Sequence, residues 1–77
     1  METLPIMIPN ADSVNEFVEL TGEFNFDMDL CDGNRCVDAK SILGILYLGV
    51  GKVHKLSVPE ERIKLVEDKL STFVVSE

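Results

Sequence analysis

The segment VDAKSILGILYLGVG, from Val37 to Gly51, contains a helix start, an apolar run and a glycine stop. Ser41 stands just before the apolar run, where its hydroxyl can accept a hydrogen bond from an early helical N–H. Gly49 and Gly51 follow the last leucine and favour the positive φ angles at which helices end. The segment therefore predicts a short helix that starts after Ser41 and stops at the glycines.

Two apolar stripes lie on this predicted helix. The first recurs every third residue, as a core face does, and consists of Ile42, Ile45 and Leu48. The second consists of Leu43, Leu46 and Tyr47. A helix that is apolar all round is either buried on all sides or presents a surface to a partner. Both interpretations stay open, and because full burial is difficult in 77 residues, we predict that the second stripe is a partly exposed surface where another protein docks.

Composition and charge exclude several classes of protein. The 77 residues are enough for one domain, over residues 1–77, and a hydrophobic content of 45% favours a folded core over disorder. A net charge of -7 opposes binding to nucleic acid and to anionic membranes. The run Ile42–Val50 is far shorter than the ~20 residues that span a bilayer, and no secretory signal pattern opens the sequence. We therefore expect a cytoplasmic protein, and we expect a monomer.

Cys31 and Cys36 flank the sequence Asp32-Gly33-Asn34-Arg35. A zinc site needs about four ligands, and the chain has one histidine, so we predict no metal site. Gly33-Asn34 fits a two-residue hairpin turn, which places the two cysteines opposite each other. In the cytoplasm such a pair is expected to be two free thiols. A redox or disulfide protein built on this pair is the rival interpretation.

The rest of the chain predicts the order strand, helix, strand, strand, helix, strand, helix. The first strand carries the alternating residues Leu4, Ile6 and Ile8, with Pro5 indicating a sheet edge. Ser13 and Glu16 have the spacing of a capping box, and Gly22 ends the helix that follows.

Alternation then predicts a strand from Phe24 to Cys31, with a short return strand Cys36–Asp38. After the central helix, His54, Leu56 and Val58 alternate on another strand. Pro59 opens a last helix, whose apolar stripe is Ile63, Val66, Leu70, Phe73 and Val74. This order predicts an α+β fold with the helices on one face of the sheet.

The element order and the central segment together resemble the histidine-containing phosphocarrier protein family, HPr, of the bacterial sugar phosphotransferase system. The matching residues are Val37, Lys40, Ser41, Ile42, Gly44, Leu48, Gly49 and Val50. The resemblance implies an open-faced β-sandwich of order βαββαβα, with a four-stranded antiparallel sheet and three helices on one face.

The resemblance also implies a phosphate-accepting histidine at the start of the first helix, followed by an arginine. The loop Pro9–Ser13 has neither residue. Either Asn10 stands where the family has its histidine, or about three loop residues are missing. Asp12 and Glu16 would repel a phosphate there. His54 shares strand parity with core residues, so we predict a packed histidine without a catalytic role.

Two further implications of the resemblance concern the central helix. In many Gram-positive members a dedicated kinase phosphorylates the serine at the position of Ser41, although a plain N-cap serine looks the same. Family members also dock partner proteins through positions that correspond to Leu43, Leu46 and Tyr47. We predict a non-catalytic interaction or regulatory module with no cofactor. The alternative is a phosphocarrier relay protein that uses an unrecognised acceptor.

Overall fold

The computed structural model of the chain describes residues 1–76. Within them the elements follow the predicted order. The strands are β1 (Glu2–Met7), β2 (Asp29–Asp32), β3 (Arg35–Asp38) and β4 (Val53–Val58). The helices are α1 (Asp12–Thr21), α2 (Ile42–Leu48) and α3 (Ile63–Lys69), and a single 3-10 turn, Glu60–Arg62, leads into α3. No helix within this part of the chain is long and apolar enough to cross a membrane.

The strands form one antiparallel sheet in the order β1-β4-β2-β3. Side chains alternate between the two faces of a strand, and one face of each strand points at the helices. Leu30 on β2 lies opposite Leu56 on β4, and both side chains are completely buried. Among residues 1–76, no helix covers the other face of the sheet. The predicted α+β open-faced β-sandwich, with three helices on one face, is confirmed.

Side chains from the helices complete the core. Phe17 of α1 meets Phe73, which follows α3, in an edge-to-face contact with ring centroids 5.3 Å apart. The Thr21 hydroxyl at the end of α1 donates to the Ala39 carbonyl oxygen at 2.9 Å. The segment after α3 runs back along β1, where the Val75 N–H donates to the Pro5 carbonyl oxygen at 3.0 Å. These contacts fix α1 and the C-terminal segment against the sheet.

The prediction of a strand from Phe24 to Cys31 is wrong in its first half, since β2 begins at Asp29. Residues 24–26 form a bend instead, and residues 27–28 have no regular secondary structure. The Phe24 and Phe26 rings pack against the core with centroids 5.2 Å apart, and the Lys40 ammonium donates to the Phe24 carbonyl oxygen at 2.7 Å. The alternating apolar side chains are thus covered because this loop packs against the core. The loop itself does not pair with a neighbouring strand.

The predicted capping box at Ser13 is also wrong, because α1 begins at Asp12 and Ser13 already lies inside its first turn. The Asn10 side-chain oxygen accepts from the Ser13 N–H at 3.0 Å and from the Ser13 hydroxyl at 3.1 Å. Asn is among the preferred residues for capping a helix start. Ser13 therefore donates to the residue that caps the first turn and is not the cap itself.

Candidate functional site

Helix α2 is held at both ends in the way that the sequence predicts. Ser41 is extended, with φ -106° and ψ 114°, and its hydroxyl oxygen accepts a hydrogen bond from the Gly44 N–H at 3.0 Å. Gly49 has φ 107°, a left-handed value that favours glycine, and its N–H donates to the Ile45 carbonyl oxygen at 3.0 Å. The prediction of Ser41 as an N-cap is confirmed.

Removing this cap gives a first testable prediction. Ser41→Ala is expected to lower the free energy of unfolding by about 1 kcal/mol, because the Gly44 N–H loses its acceptor. Ser41→Asp keeps an acceptor at the cap and is expected to lose less than half as much. Urea denaturation followed by circular dichroism measures both values. Equal losses in the two variants would contradict the capping role.

Four large apolar side chains of α2 are exposed to solvent, and we call them the α2 patch. They are Ile42 (41% exposed), Leu43 (80%), Leu46 (43%) and Tyr47 (70%). The expected exposure of Leu43, Leu46 and Tyr47 is therefore present in the structure. Ile45 and Leu48 are buried as predicted.

The prediction that Ile42 faces the core is wrong. Residues three apart on an α-helix differ by about 60° around the axis, so Ile42 is rotated by about 120° from Leu48. In α2, which has seven residues, this rotation turns the Ile42 side chain away from the buried face of the helix. Ile42 consequently joins the exposed patch.

Helix α2 packs closely on strand β3. A Cβ atom on Gly44 would lie 3.0 Å from the Cβ of Val37 and 3.2 Å from the Ser41 hydroxyl oxygen. Most real Cβ contacts are longer than these, so an alanine at Gly44 would force Val37 or Ser41 to move by a few tenths of an ångström where the helix crosses the strand. The matching glycine in the central segment therefore has a packing role.

Charged side chains flank the α2 patch on the side of the β2–β3 hairpin. The Arg35 guanidinium carbon lies 5.7 Å from the centre of the Tyr47 ring, close enough for a cation–π contact. The Asp32 carboxylate accepts from Arg35 at 3.1 Å and from Lys52 at 3.0 Å. The predicted hairpin turn at Gly33-Asn34 pairs Asp32 with Arg35, but no local sequence pattern connects either residue with α2.

The pKa values of this cluster are shifted by the same contacts. The hydrogen bond from Lys52, and then that from Arg35, lowers the pKa of the Asp32 carboxyl below its usual value. The Asp32 carboxylate, and then Tyr47, raises the pKa of Arg35. The rim of the patch therefore carries two cationic side chains, Arg35 and Lys52, that share one carboxylate.

Cys31 and Cys36 lie directly opposite each other in the β2–β3 hairpin, as the turn at Gly33-Asn34 predicts. The expectation of two free thiols is wrong for this structure, because a disulfide joins the two sulfur atoms. Direct cross-strand pairing brings the two Cα atoms to 4.1 Å, so no rearrangement of the backbone is needed for the bond. The hairpin turn predicts the pairing of the two cysteines, whereas only the expected compartment favoured free thiols.

The residues that lead into α1 are Asn10, which is exposed, and Ala11, and the helix begins at Asp12. The one histidine of the sequence, His54, lies on β4 and is 1% exposed. Its Nε2 is 2.8 Å from the Gly49 carbonyl oxygen, so Nε2 carries the proton and donates. Its Nδ1 is buried with no hydrogen-bond partner among the described residues. The prediction of a packed strand histidine therefore agrees with its place in the structure.

Comparisons with known proteins point to one family. The family described as "PTS HPr component phosphorylation site" matches residues 10–61. The crystal structure of HPr-C-His from Thermoanaerobacter tengcongensis is 34% identical, with a TM-score of 0.71, and the match covers 94% of this chain and 93% of that one. Comparison with curated protein sequences gives no significant match.

A second solved structure, the phosphocarrier protein HPr from Bacillus anthracis str. Ames, has a TM-score of 0.73. It is 23% identical, and the match covers 96% of this chain and 94% of that one. At this identity the similarity shows the fold alone. Both structures nevertheless share the open-faced β-sandwich over nearly their whole length.

Proposed function

Because this chain belongs to the HPr family of the phosphotransferase system, we propose that it is a protein-interaction or regulatory module of that system that carries no phosphate on histidine. In this proposal residues 1–77 act as one cytoplasmic, monomeric domain that is not an enzyme and uses no cofactor. The observation that carries the proposal is the position of the one histidine, which is buried on β4 instead of exposed at the start of α1.

A phosphate acceptor needs an accessible nucleophilic atom, and His54 does not offer one. Its Nε2 donates to the Gly49 carbonyl oxygen and its Nδ1 is enclosed by protein. At the start of α1 the Asn10 side-chain oxygen is occupied by two hydrogen bonds from Ser13, and an amide is a poor nucleophile. The exposed carboxylates of Asp12 and Glu16 lie in the first two turns of α1 and oppose the approach of a phosphate dianion.

The interaction surface that we propose is the α2 patch, with Leu43, Leu46 and Tyr47 as its main contacts. Contiguous exposed apolar side chains with a charged rim are typical of protein–protein interaction sites. Arg35 and Lys52 on the rim favour a partner whose apolar centre is bordered by carboxylates. The partner is another protein of the phosphotransferase system, and neither nucleic acid nor a membrane is part of the proposal.

We also propose Ser41 as a regulatory phosphorylation site on the same surface. Ser41 immediately precedes Ile42, and its side chain is partly exposed. A phosphoserine would add a charge of about −2 next to Ile42 and would keep oxygen acceptors near the Gly44 N–H. Phosphorylation would therefore change docking by charge while leaving the helix capped.

The phosphotransfer assay tests the proposal directly. The protein is mixed with phosphoenolpyruvate and the general phosphotransferase of the system, and acid-labile phosphate is measured. We expect no label under conditions where an HPr protein with an exposed histidine is fully labelled in a parallel reaction. A stoichiometric label would contradict the proposal and support the alternative of a phosphocarrier relay, and peptide mapping would then locate the acceptor.

A further inference from the structure

The β2–β3 hairpin presents its disulfide on the sheet face that the helices leave open. Leu30 and Val37 lie opposite each other and pack toward the core. Because side chains alternate along a strand, the neighbouring residues Cys31 and Cys36 point to the opposite face. Cys36 is exposed and Cys31 partly exposed, so a thiol reagent can reach the bond without unfolding the core.

The same hairpin supports the α2 patch from the helix side. Strand β3 is an edge strand that pairs with β2 over the four residues Arg35–Asp38. From this strand the Arg35 guanidinium reaches the Tyr47 ring, and Val37 lies against Gly44. The disulfide is one residue away from the Asp32–Arg35 pair along both strands. The disulfide cross-links β2 to β3 and thus restrains the strand that carries Arg35.

We propose that the Cys31–Cys36 disulfide is a reversible redox site for a dithiol reductant, and that its state sets how firmly Arg35 is held over Tyr47. A thiolate of the reductant attacks one protein sulfur, forming a mixed disulfide and releasing the other cysteine as a thiol. The second thiol of the reductant then displaces the protein. Two electrons and two protons pass to the protein, giving two cysteine thiols and the cyclic disulfide of the reductant.

The exposure of the disulfide and a cytoplasmic location both favour reversible formation of the bond. Exposed disulfides are commonly the labile, regulatory ones, and disulfides in the cytosol are usually transient or redox-sensing. The cytoplasmic location rests on the proposed function. After reduction the hairpin register still places the two thiols opposite each other, so the disulfide can form again without a change in strand pairing.

Reduction removes the covalent link between β2 and β3 and leaves the edge strand held by its ladder and by packing against α2. The Arg35–Tyr47 contact is then less populated, and the rim of the α2 patch becomes more mobile. Any consequence of this change for docking rests on the proposed function. The change at Tyr47 itself does not depend on any partner.

The test uses Tyr47 as a reporter, since the sequence contains one tyrosine and no tryptophan. The native protein is treated with dithiothreitol, free thiols are counted by alkylation and mass spectrometry, and the Tyr47 ring resonances are recorded by NMR. We expect two thiols per chain without unfolding, a shift of the Tyr47 resonances, and recovery of both signals on reoxidation. The variant Cys31→Ser with Cys36→Ser is expected to match the reduced state.

Arg35→Gln is the matched control, because it keeps the disulfide and removes the cation. In this variant reduction is expected to release two thiols while the shift at Tyr47 is lost. Resistance of the disulfide to dithiothreitol until the protein unfolds would overturn the redox site. Release of two thiols with unchanged Tyr47 resonances in the wild-type protein would overturn the link to the patch. Neither readout involves phosphotransfer or a partner, so these outcomes are independent of the proposed function.

Discussion

Replacing Phe17 by alanine is expected to lower the free energy of unfolding by about 3–5 kcal/mol. The side chain is completely buried on α1, and its ring meets Phe73 edge-on at 5.3 Å between centroids. Truncation removes the contact and leaves a cavity between α1 and the segment that follows α3. Small domains are stable by about 5–15 kcal/mol, so the variant should lie close to the limit of folding. Urea denaturation followed by far-ultraviolet circular dichroism measures the loss.

Leu65→Ala on α3 is the matched control for this measurement. Leu65 is 51% exposed, and its truncation is expected to change stability by about 0.5 kcal/mol or less. A double-mutant cycle of Phe17 with Phe73 is expected to give a coupling energy of about 0.5–1.5 kcal/mol. Similar losses for Phe17→Ala and Leu65→Ala would show that α1 does not contribute to the core as the structure indicates.

The order of helices and strands could be predicted from the sequence because each element carries a local signal. Ser41 and Gly49 mark the ends of α2 through one hydrogen bond and one positive φ angle, and both effects act within a few residues. The turn at Gly33-Asn34 fixes the register of the hairpin in the same way. Signals of this kind do not depend on the rest of the fold, so the ends of α2 and the hairpin turn lie where the sequence predicts them.

Two of the errors arise where residues distant in the sequence determine the structure, and one concerns the exact start of a helix. Phe24 and Phe26 alternate as in a strand, but alternation reports which side chains are buried and does not reveal whether a neighbouring strand exists. At the start of α1, Ser13 lies inside the first turn, and the Asn10 side-chain oxygen accepts the hydrogen bond from the Ser13 N–H. Ile42 has the spacing of a core residue, yet the sheet covers only part of the helix surface.

The candidate site was predictable to a similar extent. Leu43, Leu46 and Tyr47 follow from the second stripe of a helix that is apolar all round, and their exposure required only that the domain be small. The contribution of Arg35 to the rim was not predictable, because it depends on β3 lying beside α2. The disulfide was equally out of reach, since a hairpin register shows that two thiols are close and does not show their redox state.

Substitutions at two neighbouring residues of α2 are expected to show which side chain belongs to the core and which to the surface. Ile45 is completely buried and Leu46 is 43% exposed. Ile45→Ala is expected to lower the free energy of unfolding by about 2–5 kcal/mol, because it removes core packing and leaves a cavity. Leu46→Ser is expected to cost about 1 kcal/mol or less, since much of that side chain is already in water. Both values come from urea denaturation of the oxidised protein.

The same Leu46→Ser variant then tests docking, because it stays folded. Its binding to purified proteins of the phosphotransferase system is compared with that of the wild-type chain by calorimetry, with Leu65→Ser on α3 as the control outside the α2 patch. A central contact of an interface typically contributes about 1–2 kcal/mol or more, so the dissociation constant should rise at least about fivefold for Leu46→Ser and stay unchanged for Leu65→Ser. A stability loss of about 2 kcal/mol or more for Leu46→Ser would assign Leu46 to the core. Unchanged binding by a folded Leu46→Ser protein would show that Leu46 is not part of the interface, because a lost contact would have raised the dissociation constant.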